Sequence, residues 1–282
     1  MTFAWAALII LMVSGAVRAN AFFVYYDAFL EKEASLLEAV IDGIRRITNA
    51  GVYVADHVPP PAGAKALIGL GPQGAAKAVA LADGIPVVAG LVIQPPAGVV
   101  SGYSIAPDPG AMFRLAKEVM GIQRVIAVSC VEETHIEIRD GMARIRDLGL
   151  AARLLIGKGT TAYLARMGEA MDEASAKDLI WTPYVCRDNL KGAELPIIRR
   201  VWDRSLVLAS SHPDLIRYGF LLTAVPRFDR LGEGLGRLAK EIAGGKAKKP
   251  FTLSPFVEVV VNAAVARHIG VSTASFPRIY EP

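Results

Sequence analysis

The chain has 282 residues, 53% of them hydrophobic and 21% charged, with a formal net charge of +4. That is enough apolar material for one large or two modest globular units with real cores. The cations are scattered and their only local run, Lys246-Ala247-Lys248-Lys249, reads as a solvated loop, so no nucleic-acid partner is expected; two cysteines are too few for a disulfide scaffold and lack zinc spacing.

Phe3 to Val17 is almost wholly apolar, the length of a signal-peptide core, and Ala19-Asn20-Ala21 forms an A-x-A processing site before Phe22. Residues 1–21 are expected to be a signal peptide that places the protein in the periplasm. The n-region carries no Lys or Arg, which leaves an uncleaved anchor as the alternative. Residues 22–26 then read as a strand, and Leu37, Val40, Ile41, Ile44 and Ile47 recur at helical spacing before an extended Val52-Tyr53-Val54. After Pro59-Pro60-Pro61 come an apolar strand at 66–70, a small-residue helix at 73–82 and a second buried strand at 86–93. Strands apolar on both faces imply a parallel sheet covered by helices.

Pro95-Pro96 through Pro107-Asp108-Pro109 interrupts the pattern and is expected to be the first passage between two lobes. Asp108 is an expected N-cap, with Met112, Leu115, Ala116 and Val119 as the buried stripe of the next helix. Strands at 124–129, 152–156, 178–184 and 206–210 alternate with helices at 138–148, 162–173 and 195–203. The fold class is therefore α/β, with two doubly wound Rossmann-like lobes. Residues 22–104 with part of 219–282 form the first lobe, and 105–218, with or without the last strand, form the second. Such lobes oppose the carboxyl ends of their strands, where ligands of open α/β sheets bind.

Residues just past the strand ends are the binding candidates: Tyr26, Asp27, Gly71, Gln73 and Val92 in the first lobe, and Ser129, Glu132, Trp181, Thr182, Asp188, Ser210 and Ser211 in the second. Trp181 and Tyr26 suit stacking on a flat ligand or core packing; Asp27 or Asp188 suits an ammonium, and Gln73 or Ser129 a carboxylate. Gly69-Leu70-Gly71-Pro72-Gln73-Gly74 spells the dinucleotide fingerprint G-x-G-x-x-G, but no carboxylate ends the next strand and Pro72 removes an amide. It reads as a tight turn into a helix, whose amino end would suit a bound carboxylate. No cofactor is expected. Cys130, Glu132, Glu133 and His135 read as a polar loop, not a metal site, and Ser210-Ser211-His212 lacks a nucleophile elbow. His57 and His268 stand alone. Cys130 and Cys186 each follow a strand at one sheet edge, and either form a disulfide or stand as two half-buried thiols.

The tail carries a family signature. Gly219-Phe220-Leu221-Leu222 to Pro226, Phe228-Asp229, Leu231-Gly232, the Gly244-Gly245 break, Val259-Val260-Val261-Asn262 and His268-Ile269-Gly270-Val271 follow one another in order and spacing. This resembles the carboxy-terminal pattern of the ABC importer substrate-binding proteins that include aromatic amino-acid binders. Ser101-Gly102-Tyr103 before Asp108-Pro109, and then residues 124–128, extend the resemblance over residues 64–271. It implies a type I periplasmic-binding-protein fold and no catalysis: a monomer that takes a small-molecule ligand and delivers it to an inner-membrane ABC permease. A ligand-sensing or accessory periplasmic domain is the alternative, and an exported Rossmann-type enzyme a third.

Overall fold

The computed structural model describes residues 21–54, 63–99, 101–247 and 249–282; the expected leader up to Asn20 and His57 lie outside them. In chain order the first part comprises β1 (Phe22–Tyr26), α1 (Ala34–Ile47), β2 (Gly51–Val54), β3 (Ala66–Leu70), α2 (Gly71–Ala80), β4 (Val87–Val92) and β5 (Ser101–Pro107). β1, β3 and β4 are apolar on both faces because helices cover both faces of their sheet. Leu37, Val40, Ile41 and Ile44 of α1 pack on one face, and Ala75 and Ala78 of α2 on the other.

β5 lies inside the stretch that the sequence presents as a passage between lobes. Ser101, Gly102 and Ser104 give it a weak strand signal, yet Gly102 and Ser104 have structural reasons to be small. A side chain on Gly102 would collide with the Ala89 carbonyl of β4, and the Ser104 hydroxyl donates to the Ile93 carbonyl at 2.9 Å while accepting from the Ala106 amide at 3.0 Å.

The second part comprises α3 (Gly110–Met120), β6 (Arg124–Ser129), α4 (Ile136–Asp147), β7 (Ala151–Ile156), α5 (Thr160–Glu173), β8 (Asp178–Thr182), α6 (Glu194–Asp203) and β9 (Val207–Ser210). Asp108 accepts the Gly110 amide at 2.8 Å, and α3 starts at Gly110 with Pro109 as its N-cap, one residue later than an Asp108 N-cap would start it. The strand expected at 178–184 ends at Thr182, because Pro183 cannot donate to the ladder and a 3-10 turn, Tyr184–Leu190, follows. Met112, Phe113, Ile138 and Ile145 fill one face of this sheet, and Tyr163, Met167, Ile197 and Val201 the other.

The tail then divides between the sheets. β10 (Leu222–Pro226), β12 (Val257–Asn262), α8 (Ala263–His268) and β13 (Arg278–Tyr280) join the second, while α7 (Phe228–Ala243) and β11 (Thr252–Ser254) join the first. The described residues therefore form a parallel six-stranded sheet, β11-β5-β4-β3-β1-β2, and a seven-stranded sheet, β13-β12-β10-β9-β8-β6-β7, with one antiparallel pair, β10 with β12. The chain passes between the sheets three times, at Pro107-Asp108, at Pro226-Arg227 and at residues 254–257. The crossings are stitched by backbone hydrogen bonds, from the Asp108 amide to the Ser254 carbonyl at 2.8 Å and from the Arg227 amide to the Phe256 carbonyl at 2.7 Å.

Candidate functional site

The carboxyl ends of the two sets of parallel strands meet across the boundary between the sheets. Tyr184, just past β8, packs with Ile136 at the start of α4 against the first sheet's cluster of Phe23, Tyr25, Val92 and Leu253. Burial, the carboxylates of Glu137 and Asp214, and then Glu33 from the turn after β1, push the Tyr184 hydroxyl up to about 12. The turn Ala28–Glu33 of the first sheet thus faces the turn Tyr184–Leu190 of the second, with Phe29 63% exposed and Tyr218 at the surface.

Behind this boundary lies a buried polar cluster that the second sheet builds from its strand ends. Glu137, in the first turn of α4, is fully buried, and its carboxylate accepts from the Tyr184 amide and, at 3.1 Å, from the Val185 amide. Burial lifts its carboxyl to about 7 in spite of those two amides and the Ser211 hydroxyl. The Tyr184 ring stacks on His212 with centroids 4.6 Å apart. Tyr163 meets the Thr182 hydroxyl at 3.3 Å, and the Ser210 hydroxyl donates to the Thr182 carbonyl at 3.1 Å and accepts from the His212 amide at 2.9 Å. Burial lowers both His135 and His212, which favours neutral imidazoles at the boundary. Cys130 and Cys186 form a disulfide that ties the end of β6 to the same turn as Tyr184.

Of the residues expected from sequence, Thr182, Ser210 and Ser211 belong to this cluster. Trp181 does not offer a stacking face: its ring is fully buried, edge-on to Phe113 with centroids 5.2 Å apart, and its Nε1–H donates to the Ser211 hydroxyl at 3.0 Å. Alternation along β8 turns position 181 into the core. Val92 is likewise core, and Tyr26 turns toward α1, its hydroxyl donating to Glu31 at 3.1 Å. Asp27 is engaged by the backbone, accepting from the Phe29 amide at 3.0 Å and the Gln73 amide at 3.4 Å, so the carboxylate expected at the start of α2 is the chain's own. Ser129 closes its own turn with Val131, Glu132 pairs with Lys158, and Asp188 is exposed and paired with Arg187 and Lys191.

The glycine motif is a packing device. Gly71 takes φ of +75° to enter α2, a side chain on Gly69 would collide with Ala75, and one on Gly74 with the Tyr25 carbonyl. Sequence reasoning missed Glu137, Tyr163, Tyr184 and His212. Thr182, Ser210 and Ser211, expected as strand-end candidates, point toward the place, and His212 stands out only beside the two serines.

Comparison with solved structures places this architecture. A substrate binding protein with adhesive properties from Clostridium difficile, ligand-free and open, superposes with a TM-score of 0.64 at 11% identity, over 92% of this chain and 98% of its own. An ABC domain in complex with L-Trp from Streptococcus pneumonia gives 0.57 at 13% identity, over 93% and 100%. The chain has the type I periplasmic-binding-protein fold. A LacI transcriptional regulator from Lactobacillus brevis shares this fold, with a TM-score of 0.53 at 12% identity over 84% of this chain and 99% of its own, so the fold serves both binding proteins and transcriptional regulators. No family model matches the sequence, and neither does any curated protein.

Proposed function

We propose that the protein is an exported solute-binding protein that closes its two α/β units on a small organic ligand and presents it to an inner-membrane ABC permease. The observation that carries this reading is the opposition of the two strand-end faces across three hydrogen-bonded crossings, the layout of a clamp. Ligand contacts made by both faces would stabilise the closed form differentially. Tyr184 and His212 supply a stacked aromatic wall. The Cys130–Cys186 disulfide fits an oxidising compartment such as the periplasm. The packing role of the glycine motif weighs against a nucleotide-dependent enzyme.

A thermal-shift screen of the mature protein against amino acids, sugars and aromatic acids tests this. A ligand at about 100 times its Kd adds about 2.7 kcal/mol of stability by mass action. Tyr184→Ala should erase the shift while the variant remains folded. Silence across a broad library, or a shift indifferent to Tyr184, would sink the reading. A ligand sensor of the same fold is the second reading, favoured by the LacI regulator's shared architecture. Pull-down of a permease with the loaded protein separates the two.

A further inference from the structure

Glu137 has no obvious reason to be an acid unless the turn it holds matters. A fully buried carboxylate is costly unless hydrogen-bonded, and this one faces no buried cation in its cluster. It reaches the start of the Tyr184–Leu190 turn, where two consecutive amides point at its two oxygens. The titratable groups facing it are Tyr163 from α5, Tyr184 from the turn, with His212 stacked behind, and His135 on its own helix, whose Nδ1 accepts from the Glu137 amide at 3.3 Å. Asp214 and Glu33 lie on the far side of Tyr184, where Arg187 pairs with Asp188. The residue after Val185 and before Arg187 is Cys186, anchored to Cys130. Residues 184–186 are thus held one after another, two by a carboxylate and one by a covalent bond.

We propose that Glu137 is a positioning residue of the candidate cleft, fixing the Tyr184 ring through these two amides, and that the hold is governed by the charge on its carboxylate. The role in ligand binding rests on the cleft reading above; the hold itself does not. Opening the turn lets water reach Glu137, where its carboxyl returns to the ordinary carboxylate range. The closed turn, in which burial lifts that carboxyl to about 7, therefore binds the proton more tightly than the open one. The hold is at full strength below that ordinary range, weakens as pH rises from there to about 7, and is constant above it. Both tyrosines are raised and stay out of that window, while both histidines are lowered by burial and act with the opposite sign; they are common to wild type and Glu137→Gln, so the difference between the two profiles is the share of Glu137.

The test is hydrogen exchange of the peptide spanning Thr182 to Arg187 in the intact, oxidised protein between pH 5 and 9. After correction for intrinsic exchange, opening in the wild type should become easier by up to about tenfold per pH unit between about pH 5 and 7 and level off above 7. Glu137→Gln should show no such slope, and Glu137→Ala should open faster at every pH. A wild-type profile flat across the range would overturn the charge linkage, and it needs no variant to fold. Unchanged protection of the peptide in Glu137→Ala would overturn the positioning role. Neither outcome depends on whether a transported ligand exists, so failure here is distinct from failure of the transport reading.

Discussion

Trp181 shows how one residue's orientation redirects a functional reading. Its ring fills the space above Gly141, where an added Cβ would collide with the indole. Gly141→Ala should therefore overpack the core and cost about 1–3 kcal/mol, measurable by urea unfolding. Were Trp181 turned into the cleft instead, the same change would be nearly silent. At the opposite end of the strands, Arg124 joins β6 to β8, donating to both oxygens of Asp178 at 2.9 Å and pairing with Glu173. The Arg124 guanidinium, aided by Ser175, holds the Asp178 carboxyl down to about 2. Because the folded value lies below the ordinary one of 3.8, this pairing stabilises the protein above that value, and the contribution disappears as pH falls toward 2. Asp178→Asn should flatten the acid limb of a Tm–pH curve between about pH 4 and 2; an unchanged limb would remove Asp178 from the account. At this scale the sequence exposes the hydroxyls at the strand ends, Thr182, Ser210 and Ser211, but hides Glu137. An acid in the first turn of a helix reads as a solvated partner of the helix dipole, and only the return of residues 184–190 over α4 buries it.

The packing of α1 on α7 gives the first sheet its covered face, and glycines set how close the two helices come. A side chain on Gly232 would strike the Val40 carbonyl, and one on Gly43 the Asp229 carbonyl, so backbone meets backbone here. Gly232→Ala should force the helices apart and destabilise the protein by about 1–3 kcal/mol despite the better helix propensity of alanine. If propensity won, the variant would be more stable in the same urea titration. The elements legible from sequence are those with sustained apolar runs, such as β3, β4 and β6, or a clear helical stripe, as in α1. β5 escapes because serine and glycine suit its tight place beside β4. β11 and β13, three residues each, are too short to carry a period.

Across the whole molecule, neither sheet is built from one continuous piece of chain. The first unit depends on α7 and β11 from the tail, and the second on β10, β12 and β13, with the crossings hydrogen-bonded to one another. Tyr184 and Ile136 of the second unit also pack into the first unit's apolar cluster. Losing one unit would thus strip the other of crossing strands and of apolar cover, which favours a single cooperative transition over two. The variants above make this measurable. Gly232→Ala lies in the first unit and Gly141→Ala in the second, while Trp181 and Trp202, the two tryptophans beyond the expected leader, both lie in the second. The tryptophan fluorescence midpoint of the protein without its leader should fall in both variants, and calorimetry should show one peak in each. A Gly232→Ala protein whose tryptophan midpoint stays at the wild-type value would mean that the units unfold independently, and that the crossings act as a hinge without coupling the two cores.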